Sequence, residues 1–402
     1  MLSRITRQAC RNARKLVKTP AAHSNKNTSD KKATLHSGDI TTKIETDYSV
    51  KICVLTDKLR SESRTNRQNY NKLVAERAEI IAQLQEVLCS SSSRLISVGS
   101  LANSFAWSKD SDIDLCFIAG KNDEFLRDFN AHPNFKVTLM RTAADLLERS
   151  SKLKLATECQ LLVRSRIPLI VVRLANGISV DIQFPANSNF QALRNTNLIR
   201  HYVMADRRFG QLYMWTRQLF TVLGAKNSKQ GLLSSYHIML LVVHFLQSKH
   251  IFSEPILPIL TQTHPHWVGA ELPLSQVIQL MDQPIASNLE GWQSANRMPV
   301  GLLAVKMIEY YSRFKIRNTM IDIGRGKSIR RRQTAYNMKL QIMDPYSRMT
   351  VCHNQDIVEA FAKAVFFTHE AFKTGAMIDS YPKFDDVDVS NLSRVRVCND
   401  LK

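Results

Sequence analysis

Two short stretches constrain this chain more than any other feature. Residues 113–118 read IDLCFI and residues 178–184 read ISVDIQF, so each β-rich apolar run carries one acid. Side chains alternate across a strand. Asp112, Asp114 and Cys116 therefore share one face, while Ile113, Leu115 and Phe117 pack inward. Asp181, between Val180 and Ile182, repeats the pattern. A fold that accepts both runs is a sheet with one buried face and one that presents carboxylates. The Asn176-Gly177 dipeptide joins the second run to residues 167–174, and a type I′ turn with positive φ at both positions is expected there. Asp110 has the same spacing from Asp112 but lacks apolar flanks, and is read as a turn residue.

At about 3.3 Å per residue, Asp112 and Asp114 stand roughly 7 Å apart along the strand. Carboxylates so placed can bracket hard divalent cations, which prefer oxygen ligands and phosphate. Asp181 is expected to project from an adjacent strand onto the same face. Upstream, Gly99 lets backbone approach a phosphate, and Ser100 offers a hydroxyl and an N–H to its oxygens. Together these residues imply a two-metal site acting on a nucleoside triphosphate. One cation activates the attacking hydroxyl and the other neutralises the leaving pyrophosphate. The competing reading of D-x-D alone, a solvated strand edge, does not account for the second β-embedded Asp.

Apolar spacing predicts helices over 71–88, 123–129 and 143–148, and strands over 95–98, 113–118, 167–174 and 178–184. Beyond Arg194 the texture becomes helical, over 196–223, 233–248, 301–314 and 355–373, with few strand signals and no internal repeat. The 402 residues suit about two to three domains. Lys and Arg number 55 against 35 acids, a net charge of +20, which favours a polyanionic partner. Arg325, Lys327, Arg330, Arg331 and Arg332 form the obvious cluster for RNA phosphates; the alternative is a solvated charge run. Seven scattered cysteines without a C-x-x-C pair argue against zinc or a disulfide framework. The apolar run 238–243 is far shorter than the roughly 20 residues that span a bilayer, so no membrane partner is expected. At the N-terminus, Arg4, Arg7, Arg11, Arg14, Lys15 and Lys18 fall on one helical face, opposite Leu2, Ile5, Ala9, Ala13 and Leu16. No acid precedes Asp30. An Arg-rich, acid-free amphipathic leader is the signature of mitochondrial import; a basic RNA-binding tail or nuclear signal is the other reading.

The G-S, D-x-D and later Asp pattern resembles the DNA-polymerase-β-like nucleotidyltransferase superfamily. Asn195-Thr196 in RNTNLIRHY, GLLSSYHIMLLVVHFLQ over 231–247, EPILPIL over 254–260 and DPY over 344–346 narrow the resemblance to the RNA-specific terminal nucleotidyltransferases, which include poly(A) polymerases and terminal uridylyltransferases. The resemblance covers about residues 70–375. It implies an α+β fold: a small α/β catalytic domain with a mixed sheet over 70–190, and a mostly helical central domain over 41–69 and 191–380. Residues 1–40 would be a leader and 381–402 a tail. It also implies Mg²⁺ or Mn²⁺ held by Asp112, Asp114 and Asp181, triphosphate contacts from Gly99, Ser100 and Ser235, and ribose contacts from Asn195 and Thr196. Tyr236 would stack on the base. Arg217 stands where family members place a Lys, and keeps the charge. Thr221 and Ser104 replace a Lys and a Gly found in many members. Relatives that select UTP carry a His shortly after D-P-F; here ungapped counting gives Thr350, which favours ATP, whereas a small insertion would bring His353-Asn354 to that place. The expected activity is template-independent adenylate addition to RNA 3′ ends, with UTP as the alternative substrate and target choice left to an RNA-binding partner protein. An inactive RNA-binding relative and a nucleotide second-messenger synthase are the readings from other classes.

Overall fold

The computed structural model describes residues 39–184, 190–330, 340–352 and 354–382. The basic leader before Asp39, and with it the import signal, lies outside the described residues, as do Arg331, Arg332, His353 and the tail beyond 382.

The chain begins with α1 (Asp39–Asp47) and the 40-residue α2 (Ser49–Leu88). Strand β1 (Arg94–Val98), the single turn α3 (Gly99–Ala102) and β2 (Ile113–Ile118) follow. Next come α4 (Asn122–Ala131), α5 (Pro133–Arg149), β3 (Gln160–Leu162), β4 (Leu169–Arg173) and β5 (Ser179–Gln183). The helical part comprises α6 (Gln191–Ala205), α7 (Arg207–Val222), α8 (Ser235–Leu246), the short α9 (Leu260–Thr263) and α10 (Pro265–Val268), then α11 (Leu274–Asp282) and α12 (Val300–Ser312). Strands β6 (Thr319–Asp322), β7 (Lys327–Arg330) and β8 (Gln341–Met343) precede the last helix, α13 (Asp356–Lys373).

The first sheet runs β1-β2-β5-β4-β3. It is mixed, because β2 pairs antiparallel with β1 and parallel with β5. Alternation sorts its side chains as expected. Ile113, Leu115, Val180 and Ile182 join one core with Leu84 of α2 and Phe129, Met140 and Leu147 of α4 and α5. Cys116 and Ile118, on the Asp114 face, pack instead with Leu193 of α6 and Val277 and Met281 of α11. The carboxylate face is thus partly covered too, and only the ends of β2 and β5 bearing Asp112, Asp114 and Asp181 are left for chemistry.

Helix α2 reaches well beyond the predicted 71–88. Its N-terminal half buries Ile52, Leu55 and Leu59 in the helical core, and Leu84 enters the sheet core. The run SESRTNRQN between them is polar all round, so amphipathic periodicity is lost there although the helix continues. The helix also fixes the loop before β2: Tyr70 donates its hydroxyl to Leu101 O at 2.9 Å, and buried Arg77 donates to Lys109 O at 2.8 Å.

Three expectations need correction. The hairpin is not type I′: Gly177 alone in its loop is left-handed (φ 84°). Gly177 N donates to Leu174 O and Leu174 N to Ile178 O, both at 2.9 Å, which closes a three-residue loop with Gly at its left-handed position. Asp181 consequently pairs with Val171. The single helix expected over 196–223 is two, because Asp206 accepts from Arg208 N at 2.9 Å and caps α7. The helical part also contains a small sheet, ordered β7-β6-β8. Its strands are only three or four residues long, too short for a period-2 signal.

Candidate active site

Between the first sheet and the helical part lies a cleft of about 960 Å³. Gly99, Ser100, Asp112, Asp114, Asn195, Thr196, Arg217, Ser235 and Tyr236 all line it. Asp181 is not among the lining residues, but it is the in-register partner of Asp114 on the parallel neighbour strand. Asp114 also faces Val98 on the other side, so the strand that carries it is locked between two ladders. The remaining candidates, Arg325, Lys327 and Arg330, lie away from this cleft on the β6–β7 hairpin. Arg325 is paired there with Asp322 at 3.5 Å, while Lys327 and Arg330 are exposed.

Gly99 is required twice over. Its φ is +64°, and a Cβ there would sit 2.4 Å from Asp114 Oδ2. The glycine is what lets the first turn after β1 close over the aspartate. Its N–H donates to Thr196 Oγ1 at 3.0 Å, and that hydroxyl donates onward to Ala192 O at 2.6 Å. Thr196 therefore ties α6 to the glycine turn. Ser104, in place of the usual glycine, adopts φ 69°. The loop keeps the left-handed bend that a glycine would give, at a cost of roughly 1 kcal/mol for a residue with a Cβ. Asp110 is a turn residue, accepting from Ser108 Oγ at 3.1 Å.

The three carboxylates perturb one another. Asp114 is raised to about 7, first by burial and then by repulsion from Asp181 and Asp112. Asp181 and Asp112 are also raised, chiefly by desolvation, against the pull of Lys229 and Arg173. Lys229, in a 3₁₀ turn Ser228–Gln230, and Arg173, at the end of β4, are cations that nothing in their local sequence pattern marks. No group of three or more His, Cys, Asp or Glu among the described residues is arranged to hold a metal ion as it stands. The donor set nonetheless fits a hard cation. It is all carboxylate oxygen, crowded enough to retain protons that a divalent ion would displace.

On the opposite wall, Asp344 organises the nucleotide candidates. Its Oδ2 accepts from Asn195 Nδ2 at 2.9 Å and from the Tyr236 hydroxyl at 3.4 Å. Its Oδ1 accepts from the backbone of Tyr346 and Ser347 at 3.0 and 2.7 Å. The D-P-Y motif marked this aspartate, but its hub role emerges only when α6, α8 and β8 meet. Asn195 Oδ1 is buried without a partner among the described residues, in the cleft wall. The Tyr236 hydroxyl is pushed well above its usual range by burial and by Asp344, so it stays protonated and donates. Arg217 has no ion-pair partner among the described residues. Lys226, whose pKa is lowered by burial and by Arg217, brings a second cation close to Arg217. Thr350 lines the cleft.

Residues 55–204 match the family described as poly(A) RNA polymerase, mitochondrial-like, central palm domain. Poly(A) RNA polymerase GLD2-B of Xenopus laevis is 28% identical over 258 residues, covering 63% of this chain and 46% of the relative. The human GLD2 protein is 28% identical over 246 residues, covering 60% and 46%. The chain spans about half the length of the curated relatives it matches. Among solved structures, the GLD-2/RNP-8 complex superposes with a TM-score of 0.63 at 21% identity, over 82% of this chain and 97% of that one. The structure of mtPAP in complex with UTP gives 0.57 at 19%, over 77% and 66%. At these identities the solved structures establish a shared fold. The palm-domain match, the curated relatives and this shared fold make the chain similar to the poly(A) RNA polymerases.

Proposed function

We propose that the protein is a polynucleotide adenylyltransferase that extends RNA 3′ ends with ATP without a template. The observation that carries the reading is the in-register pair Asp114 and Asp181 beside Gly99, at the edge of a cleft whose other wall holds Asn195, Arg217 and Tyr236. In the reaction the RNA 3′ oxygen bonds to the α-phosphorus of ATP. The α–β phosphoanhydride breaks, pyrophosphate leaves, and the hydroxyl proton passes to water. Asp112, Asp114 and Asp181 would hold Mg²⁺ or Mn²⁺, which supplies Lewis-acid stabilisation of the triphosphate and the attacking oxygen. Ser100, Ser235 and Arg217 would orient the triphosphate, with Arg217 able to grip it bidentately. Asn195 and Thr196 would meet the ribose. Tyr236, its hydroxyl anchored by Asp344, would offer its ring to the base.

Adenylate is favoured because the curated relatives are named poly(A) RNA polymerases and position 350 is Thr. UTP is the second reading, since one structural neighbour was solved with UTP. Extension of a short RNA with each of the four NTPs separates them: an ATP-dominated product is expected, and a UTP-dominated one reverses the assignment. We also assign target choice to a partner protein, in keeping with the GLD-2/RNP-8 complex, and the leader to mitochondrial import. A fluorescent fusion of residues 1–40 tests import, and a diffuse signal contradicts it.

A further inference from the structure

A second cavity, of about 510 Å³, shares no lining residue with the cleft. Its walls come from α2 (Arg60), the end of α6 and start of α7 (Met204 to Gln211), and residues 287–300 leading into α12. Four arginines line it, Arg60, Arg207, Arg208 and Arg297, against one acid, Asp206. Asp206 is already committed, capping α7 and bonding Arg208 Nη2 at 2.6 Å. Arg60 meets only an exposed Asp57, at 3.5 Å. Arg207 and Arg297 have no ion-pair partner among the described residues and are exposed. The cavity therefore carries a surplus of positive charge.

Two further observations point to a ligand. Gln211 is 5% exposed and lines the cavity, yet its carboxamide meets no hydrogen-bond partner among the described residues. Trp292, also in the wall, has a buried Nε1 without a partner. An unpartnered buried donor such as this indole N–H is unusual, because it costs about 1–3 kcal/mol when left unmade. The start of α12 adds little here, because Gly301 N already donates to Thr56 Oγ1 at 3.1 Å. Guanidiniums, a carboxamide and an indole N–H are donors suited to phosphate oxygens.

We propose that this cavity is a second phosphate-binding site, distinct from the cleft, that takes the phosphate of a nucleotide, either within single-stranded RNA or free. Such a site grips substrate without reading sequence. It is argued from the cavity itself and does not depend on the adenylate-transfer reading.

The test uses the full chain in EDTA, so that metal-dependent binding in the cleft is silent. Binding of a fluorescent 15-mer oligoadenylate and of AMP is measured for the wild type, for Arg207→Glu/Arg297→Glu and for Gln211→Leu. The two arginines are exposed, so thermal unfolding of the double variant should match the wild type. A drop in RNA affinity of at least tenfold in the double variant, with a several-fold drop in Gln211→Leu and no AMP binding, identifies the RNA backbone as the source. AMP binding that the same substitutions abolish identifies a free nucleotide. Unchanged RNA and AMP binding in a folded double variant overturns the proposal. So does a loss that appears in the arginine variant but not in Gln211→Leu, because that would be general surface charge.

Discussion

At the scale of single residues, the site turns on one glycine and the acid beneath it. Gly99 is held at φ +64° with Asp114 Oδ2 where a Cβ would stand. An alanine there must adopt a left-handed backbone, costing roughly 1–2 kcal/mol, and must also displace the aspartate. Gly99→Ala is expected to lower RNA extension by more than about 100-fold while lowering stability by only about 1–3 kcal/mol. Parallel extension and urea-unfolding measurements check this, and full activity would mean that Asp114 does not need its present position. The G-S and D-x-D residues were legible from the sequence because alternation is a local property. The contact between Gly99 and Asp114 was not, because it depends on β1 and β2 pairing antiparallel. Lys229, Arg173 and Lys226 were invisible for the same reason: each matters only through a neighbour distant in sequence.

At the scale of elements, long-range polar ties join helices that periodicity treats separately. Asp344 holds Asn195 of α6 and Tyr236 of α8 through one carboxylate oxygen. Asp344→Ala frees both, and it is expected to raise the apparent KM for ATP about tenfold or more while kcat falls less, since the carboxylate itself stays off the reacting atoms. Steady-state kinetics checks this; an unchanged KM would show that Asn195 and Tyr236 do not need the hub. His244 makes a comparable tie in the helical core. Its Nδ1 lies 3.0 Å from the Tyr311 hydroxyl and its Nε2 2.8 Å from Ser328 Oγ. Tyr311 already donates to Leu241 O at 2.7 Å, so Nδ1 must donate and Nε2 must accept. Burial lowers the His244 pKa to about 3, below the value in the unfolded chain. The unfolded state therefore binds the extra proton first, and stability is lost as pH falls below about 6.5. At pH 5 the loss from this group is at most about 2 kcal/mol. His244→Gln should remove much of that pH dependence between pH 7 and 5, as read by chemical denaturation. An identical slope in the variant would assign the effect to other groups, such as His201, which is lowered to about 4. Helix and strand runs near the site were legible where amphipathicity is strong. The β6–β8 sheet, the polar middle of α2 and the break at Asp206 were not, since each is fixed by tertiary partners or a cap.

At the scale of the whole molecule, the chain joins a mixed sheet to a helical body across one cleft, and α2 inserts residues into the cores of both. The fold class followed from the change of texture near Arg194 and from the family resemblance. The cleft itself could not be read from spacing, because its walls come from segments between residues 98 and 351 that only the fold brings together. No helix among the described residues is long and apolar enough to cross a membrane. With a net charge of +20, RNA binding by the proposed enzyme is expected to weaken steeply with salt, which binding across a salt series would show.

We propose that Asp112, Asp114 and Asp181 carry metal-dependent adenylate transfer. The most direct measurement is single-turnover extension of a short RNA by ATP and Mg²⁺, comparing wild type with Asp114→Asn. The substitution preserves shape and removes the repelling charge, so the variant should fold at least as stably as the wild type in EDTA. ATP-driven extension by the wild type and a loss of about 1,000-fold or more in the variant are expected, on the scale of removing a principal catalytic electrostatic group. Extension by Asp114→Asn within tenfold of wild type, or none by the wild type with any nucleotide, would contradict the proposal.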